Sequence, residues 1–255
     1  MFINKMSGMY FAGYDRAITM FSPDGRIYQL EYAMEPVKKG STTMGIKVDE
    51  GVAIVAERIK PSPLVDVSAP EKVLLVDRHI GVGYAGLSSD ARVLIEDARV
   101  YAQTHRIMYD EDIDVEALTK RMGDVMQAYT QHGGTRPFGV AFITAGISRG
   151  VPKLFMTDVS GAYTSYKAVT IGMYDQAITD FFKDQYTPSM SIEQAVLTAL
   201  QALRKAKQEA LQTSVAFDPE KIEAGVARRS TGLFVKLTQA EVSSIIDKLE
   251  GSGLS

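Results

Sequence analysis

The residues in this chain most able to do chemistry follow a glycine, in the run Gly40-Ser41-Thr42-Thr43. If the chain were cut after Gly40, Ser41 would become an N-terminal nucleophile whose own α-amine could act as the base. Glu57 and Lys72 follow at spacings that could supply an orienting carboxylate and a pKa-lowering ammonium. The pattern therefore raises the hypothesis of a self-processing N-terminal nucleophile hydrolase that uses Ser41.

The segment before Ser41 argues against that hypothesis. Residues 15–39 read as a turn and an amphipathic helix, which is unlike a disposable leader. While this helix stays attached, the Ser41 nitrogen is a neutral amide with no basicity at pH 7. We therefore favour a structural role for Ser41 and keep the nucleophile as the alternative.

Other kinds of catalytic or ligand site find little support. His79, His105 and His132 lie far apart and in no metal-ligand spacing, so we read them as ordinary surface or loop histidines and predict no metal site. The chain contains no cysteine, which excludes disulfides and thiol nucleophiles. Gly81-Val82-Gly83 lies inside a strand pattern, not at the strand-to-helix turn of a dinucleotide site. We predict no cofactor.

Charge and hydropathy exclude two classes of partner. The chain has 28 Lys and Arg against 31 Asp and Glu, a net charge of −3, and its basic residues are dispersed. This argues against a nucleic-acid-binding protein. No apolar run approaches the roughly 18 residues of a membrane helix, and the first residues lack the apolar region of a secretory signal. We expect a cytoplasmic protein.

Turn residues and periodicity predict the elements that position these side chains. Ser22-Pro23-Asp24-Gly25 predicts a turn before a helix at about 26–39, whose apolar residues recur every three or four positions. Five further helices are predicted at about 89–107, 114–132, 175–186, 191–211 and 238–249. The predicted N-caps are Ser88, Asp114, Ser191 and Thr238, one for each of these helices except 175–186. The predicted strands are 43–48, 52–57, 73–76, 80–85, 138–147, 153–158, 162–171, 222–227 and 232–237.

The order of these elements predicts the fold class. Strands come in hairpin-linked groups, which favours antiparallel sheets with helices on their outer faces, an α+β layered architecture. No linker rich in Pro, Gly or Ser divides the chain. We expect one domain over residues 14–250, between a flexible N-terminal tail of residues 1–13 and a flexible C-terminus of residues 251–255.

Several motifs carry a resemblance to a known family. Residues 14–33, YDRAITMFSPDGRIYQLEYA, closely resemble the N-terminal signature of proteasome α subunits, and Val37-Lys38-Lys39-Gly40-Ser41-Thr42 continues it. Gly86-Leu87 with Asp90-Ala91-Arg92, and Gly133-Gly134 with Arg136 to Val140, match further family motifs. The match runs from Tyr14 to about Leu237 and looks like that of the archaeal α subunits.

The resemblance implies a fold and a role. The fold would be the four-layer αββα sandwich of N-terminal nucleophile hydrolases. Catalytic β subunits of the family carry a threonine, exposed by propeptide cleavage, where this chain has Ser41. The chain would thus be a non-catalytic subunit of a threonine-type endopeptidase complex, with its helix at 26–39 across the place where the β active-site cleft opens.

The resemblance also implies partners and site residues. Seven copies would form an outer ring, stacked on β subunits, that binds ATPase or other activator rings and passes unfolded proteins to ubiquitin-independent or ATPase-driven degradation. Residues 1–13 would act as a gate with Tyr14, Asp15, Pro23 and Tyr32. Lys72, Gly40 and Leu87 would bind activator C-termini. His132, Gly133 and Gly134 would narrow the pore, with His132 where close relatives often have tyrosine.

Overall fold

The computed structural model of the chain describes residues 19–59, 64 and 71–251. Several predictions fall outside these ranges. They are the tail of residues 1–13, the gate residues Tyr14 and Asp15, and most of the C-terminal segment after residue 250. No helix among the described residues is both long enough and apolar enough to cross a membrane.

Six α-helices and ten strands make up the described part of the chain. The helices are α1 (Tyr28–Lys38), α2 (Ser88–Tyr109), α3 (Val115–Tyr129), α4 (Asp175–Gln185), α5 (Ile192–Leu211) and α6 (Gln239–Gly251). The first five strands are β1 (Thr43–Val48), β2 (Gly51–Glu57), β3 (Val73–Asp77), β4 (Ile80–Gly86) and β5 (Val140–Ser148). The others are β6 (Val151–Thr157), β7 (Tyr163–Ser165), β8 (Ala168–Ile171), β9 (Ile222–Arg228) and β10 (Phe234–Lys236).

The strands form two five-stranded sheets in which every recorded pairing is antiparallel. The first sheet has the order β10-β9-β2-β1-β8 and the second the order β3-β4-β5-β6-β7. Strand β2 shows how they stack. Ala53 and Val55 face the core shared with α4, α5 and α6, whereas Val52 and Ile54 face the core between the sheets. Because α2 and α3 cover the outer face of the second sheet, the predicted α+β αββα sandwich is confirmed.

Helix α1 lies outside this layering. Val37 is buried in the core between the sheets, and Leu30, Ala33 and Met34 pack against the same core. These residues form the apolar stripe that the spacing predicts, and α1 contacts β4 and β5 of the second sheet. Pro36 lies inside the last turn, and the helix ends at Lys38. The stripe therefore anchors α1 directly before Gly40 and Ser41.

Local signals predicted most helix boundaries, with two exceptions. The capping boxes of Ser191 with Gln194 and of Thr238 with Glu241 are both present, and Asp114 caps α3. The predicted cap at Ser88 is wrong, because Ser88 is already helical and the N-cap, Leu87, makes no side-chain cap bond. Helix α3 ends at Tyr129, earlier than the predicted end at His132.

The predicted single strand at 162–171 is wrong. It is two strands, β7 in the second sheet and β8 in the first. At the crossing, the Tyr166 N–H donates to the Leu154 carbonyl, and the Lys47 N–H donates to the Lys167 carbonyl. The pattern of apolar and polar residues predicts a strand, but it does not show which sheet the strand joins or where the chain passes from one sheet to the other.

Candidate functional site

The turn between α1 and β1 lies against the end of β4. A Cβ atom added to Gly40 would be 2.7 Å from the Gly86 nitrogen, so only a glycine allows this approach. The Gly40 carbonyl accepts a bond of 2.9 Å from the Met173 N–H, and the Thr43 hydroxyl donates to the Tyr84 carbonyl at 2.8 Å. Gly40 is therefore held beside the Gly86-Leu87 pair.

Lys72, directly before β3, reaches the same place. Its side-chain nitrogen lies 3.5 Å from the Ser41 carbonyl oxygen and 4.4 Å from the centre of the Tyr84 ring. The Glu223 carboxylate accepts bonds from the backbone N–H groups of Lys72 and Val73, at 2.9 and 3.0 Å. Lys72 is only 7% exposed, so its side chain lies inside the protein although it directly precedes a strand.

The structure therefore brings together the three residues predicted to bind activators. We call this group, with two neighbours, the Lys72 site, made of Gly40, Ser41, Lys72, Tyr84 and Leu87. Tyr84 was missed by the sequence reasoning, since its only signal is its place in a strand. Leu87 is 40% exposed and offers apolar surface at the end of β4, three residues after Tyr84.

Burial governs the electrostatics of the Lys72 site. Removal from water lowers the pKa of Lys72 to about 8, and the negative charge of Glu223 offsets this only in part. At neutral pH the side chain is therefore mostly charged, within a weakly solvated environment. Such an ammonium, already placed over an aromatic ring, is suited to receive a single carboxylate.

A pocket of about 330 Å³ opens next to Tyr84, between β3, β4 and the first turns of α2. Both apolar and charged side chains line it. They include Glu71, Leu74, Tyr84, Ser88, Ser89 and Arg92. Tyr84 is the residue that this pocket shares with the Lys72 site, and the pocket lies on the side of Tyr84 towards the N-terminus of α2.

The nucleophile constellation of Ser41, Glu57 and Lys72 is assembled only in part. Lys72 does lie at Ser41, but the Glu57 carboxylate accepts a bond of 2.5 Å from Lys207 of α5. Both side chains of this ion pair are largely buried, at 13% and 17% exposure. Glu57 is therefore engaged in tying β2 to α5.

The predicted gate residues within the described chain lie on the surface. Pro23 is exposed in the predicted turn, where the Gly25 N–H donates to the Ser22 carbonyl. Arg26 ties this turn to α1 through two bonds of 2.5 Å to the Glu31 carboxylate. Tyr32 is 52% exposed on α1. Both gate residues are thus open to a partner.

The predicted pore residues lie in a loop after α3, residues 130–135, which is exposed except at the buried Thr130. The His132 ring donates from Nδ1 to the Ala128 carbonyl at 2.5 Å, and the Thr135 hydroxyl donates to the His132 carbonyl at 2.8 Å. A Cβ atom on Gly133 or Gly134 would meet no atom within 4 Å. Side chains placed at these two positions would therefore meet open space within the described chain.

One histidine differs from its predicted surroundings. His79 is buried, and its ring lies with Asp77 and Asp112, with all potential ligand atoms within 4.8 Å of one another. Arg106 donates to both carboxylates, at 2.5 and 3.0 Å, and Arg78 donates to Asp112 at 2.7 Å. Burial by itself would raise the pKa of Asp112, but its bonds with Arg78 and Arg106 lower it on balance. Two guanidinium groups already neutralise these carboxylates, so we assign an ion-pair network here, not a metal centre.

Comparison with known proteins gives a single answer. The family model for proteasome subunits matches residues 37–222, and the model for the N-terminal signature of proteasome A subunits matches residues 14–35. A proteasome alpha subunit from Saccharolobus solfataricus is 48% identical over 237 residues, 93% of this chain and 97% of that protein. One from Methanosphaerula palustris is 46% identical over 247 residues, 97% of this chain and all of that protein.

These matches agree with the geometry. They include the signature residues around Pro23 and Tyr32, and the αββα sandwich is the N-terminal nucleophile hydrolase fold that the resemblance implies. The predicted kinship with archaeal α subunits is confirmed. The chain belongs to the proteasome subunit family, and its N-terminal signature is that of the α subunits.

Proposed function

We propose that this chain is a non-catalytic α subunit that forms the outer ring of a proteasome core particle, gates substrate entry and docks activator C-termini. The observation that carries the proposal is the packing of α1 immediately before Ser41. Val37 is 4% exposed and belongs to the core between the sheets, so removing α1 would expose that core to water. Such a helix is a permanent part of the domain.

The same packing supports the absence of catalysis by this chain. With α1 retained, the Ser41 nitrogen stays an amide and cannot accept a proton from the hydroxyl. The engagement of Glu57 with Lys207 removes the carboxylate that a nucleophile would need. Peptide-bond cleavage would then be the work of β subunits that carry an N-terminal threonine.

The Lys72 site supports the docking of activator tails. A terminal carboxylate would pair with the Lys72 ammonium, and the residues before it would lie against Leu87 and Tyr84. Gly40 keeps the backbone close enough to border the same space. Because a negative charge stabilises the charged lysine, a bound carboxylate would raise the Lys72 pKa and so offset part of the lowering that burial causes.

Exposed residues near the start of the described chain support a gate at a ring axis. Met20 and Phe21 are 48% and 66% exposed, and Tyr32 is 52% exposed. Exposed apolar side chains of this size are typical of protein contacts. Tyr14, Asp15 and residues 1–13 would complete the gate, and loop 130–135 would narrow the pore. The partners would be six further copies, β subunits, ATPase or other activator rings, and unfolded proteins in transit, all in the cytoplasm.

The oligomer and the intact subunit test this proposal together. We would measure the native mass of the chain, purified alone and with its β partner, and then the mass of its dissociated subunits. A ring-sized species whose subunits retain 27.9 kDa is the expected result. A subunit that begins at Ser41 would contradict the proposal and establish the alternative, a self-processed hydrolase. A full-length monomer that β subunits do not drive into rings would also contradict it.

A further inference from the structure

Two of the motifs quoted above meet in space. Asp90, in the first turn of α2, accepts two parallel bonds from Arg136, one from each terminal nitrogen, both at 2.7 Å. The same carboxylate accepts a third bond of 3.0 Å from the Gly139 N–H. We call Asp90, Arg136 and Gly139 the Asp90 clamp. It joins the start of α2 to the segment that leads from loop 130–135 into β5.

The Asp90 clamp is built around a buried charge. The Asp90 side chain is 7% exposed, whereas that of Arg136 is 61% exposed. Burial alone would raise the pKa of Asp90, but the bonds from Arg136 and Gly139 lower it on balance, so the carboxylate is ionised at neutral pH. A bidentate arginine pair fixes orientation as well as distance, so the clamp restricts how the two segments can move relative to each other.

On one side, the Asp90 clamp contacts Leu87 of the Lys72 site. The Leu87 N–H donates to the Gly139 carbonyl at 2.9 Å, and the Leu87 carbonyl accepts from the Ala91 N–H at 3.0 Å. A Cβ atom on Gly139 would lie 3.0 Å from a Leu87 methyl carbon and 3.4 Å from the Pro36 ring. Gly139 is thus enclosed between Leu87 and α1, and a movement of Leu87 must also move Gly139.

On the other side, the Asp90 clamp is joined to loop 130–135 through Arg136. The loop begins at the C-terminus of α3 and ends directly before Arg136, and its tip at Gly133 and Gly134 has no neighbour within 4 Å of a potential Cβ. Its position therefore depends on its two ends. One end is held by α3, and the other is held by the bonds between Arg136 and Asp90.

We propose that Asp90 and Arg136 are positioning residues that couple occupancy of the Lys72 site to the position of loop 130–135. A ligand that moves Leu87 shifts Gly139 and the first turn of α2, and the bidentate pair passes this shift to the end of the loop. The inference rests on the proposed docking function and adds to it a physical path between the docking site and the pore.

A single introduced thiol can report this coupling. The chain has no cysteine, and a side chain at Gly133 meets no neighbour, so Gly133→Cys places one thiol at the loop tip. In particles assembled with the β partner, the labelling rate would be followed by the intact mass of this chain. The probe is a short apolar peptide with a free C-terminal carboxylate, with the same peptide amidated as a control. Its affinity would be measured in parallel by fluorescence anisotropy.

We expect the carboxylate peptide to change the labelling rate about threefold or more, and the amidated peptide to leave it unchanged. In Arg136→Met and in Asp90→Asn, the peptide should bind within about twofold of its original affinity while the labelling response is lost. Arg136→Lys, which keeps the charge without the parallel bonds, should recover only part of the response. Arg136→Met leaves the buried Asp90 carboxylate without its cation, whereas Asp90→Asn leaves only an exposed arginine unpaired, so Asp90→Asn keeps the test valid if Arg136→Met fails to fold.

Arg78→Met is the matched control variant. Arg78 is 62% exposed and donates two bonds to Asp112, but this pair lies near the opposite end of α2 from Asp90. Loss of the response in Arg78→Met, or its persistence in Arg136→Met, would overturn the coupling. Binding without any change in labelling when the clamp is intact would also overturn it and leave the docking function standing. A peptide that fails to bind the intact site would remove the docking function, and the coupling with it.

Discussion

At the scale of single residues, Lys72 combines burial, charge and an aromatic neighbour in one side chain. Its ammonium lies over the Tyr84 ring and near the Ser41 carbonyl, while its backbone is fixed by Glu223. Because the side chain is already ordered, little rotamer entropy remains to be lost when a ligand binds. Because the pKa of Lys72 is lowered to about 8, the fraction of the side chain that is charged, and so able to pair with an anion, changes with pH in this range.

We expect the affinity of a peptide with a free C-terminal carboxylate to fall as the pH rises through about 8. Below that pH Lys72 is charged and can pair with the carboxylate, whereas above it the charge must be restored by proton uptake. The affinity should therefore decrease by up to about tenfold per pH unit. Fluorescence anisotropy between pH 6.5 and 9.5 would measure this.

Two variants and a second peptide separate this effect from general ones. Lys72→Arg stays charged throughout, so its affinity should not decline over this range. Lys72→Ala and the amidated peptide should bind weakly at every pH. An unchanged affinity of the original protein across pH 8 would show that Lys72 does not hold the carboxylate.

At the scale of elements, the turn from β4 into α2 decides where the docking residues lie. Gly86 has a φ of +113°, a conformation that L side chains rarely adopt. A Cβ atom there would also lie 2.2 Å from the Gly139 carbonyl oxygen. The turn therefore needs glycine both for its backbone angle and for its contact with the segment before β5, and it delivers Leu87 and Asp90 to their partners.

We expect Gly86→Ala to lower the free energy of unfolding by more than about 3 kcal/mol, because backbone strain and a backbone clash add together. Gly150→Ala is the matched control, since Gly150 also has a positive φ, +74°, but open space around its Cβ position. It should lose only about 1 kcal/mol. Urea unfolding would compare the two, and equal losses would contradict the proposed close approach at Gly86.

At the scale of the whole molecule, the sandwich keeps its two sheets face to face and places α1 at the end of the core between them. The docking residues and loop 130–135 are connected through the segment before β5 and the start of α2. Surface residues of α1 and of the turn before it are open to partners, with Tyr32 and Phe21 more than half exposed. In the proposed ring, these exposed residues would be available to neighbouring copies.

We expect deletion of residues 1–12 to speed the hydrolysis of an unfolded protein by the assembled particle, with little change in the cleavage of small peptides. A segment that crowds the pore obstructs a chain entering end-on more than it obstructs a short peptide. Hydrolysis of an unfolded protein and of a fluorogenic peptide would be measured side by side. Equal rates with and without the segment would contradict its role as a gate.

Much of the fold could be predicted from the sequence because its signals are local. The turn at Ser22-Pro23-Asp24-Gly25, the capping boxes at Ser191 and Thr238 and the apolar run of β2 all depend on residues within a few positions of each other. That Gly40, Lys72 and Leu87 share a site was predicted only from the family resemblance, because the motifs of a family reflect its tertiary structure.

Local sequence signals were enough for most element types, for the α+β class and for the attachment of Ser41 to an amphipathic helix. The pairing of Glu57 with Lys207, the crossing of residues 162–171 between sheets and the pairing of Asp90 with Arg136 follow only from the path of the folded chain. The two residues of each ion pair are far apart in sequence, by 150 positions for Glu57 and Lys207 and by 46 positions for Asp90 and Arg136. Such contacts depend on the path of the whole chain, because charge and hydrogen-bonding capacity specify what a side chain can bind but not which distant residue arrives beside it.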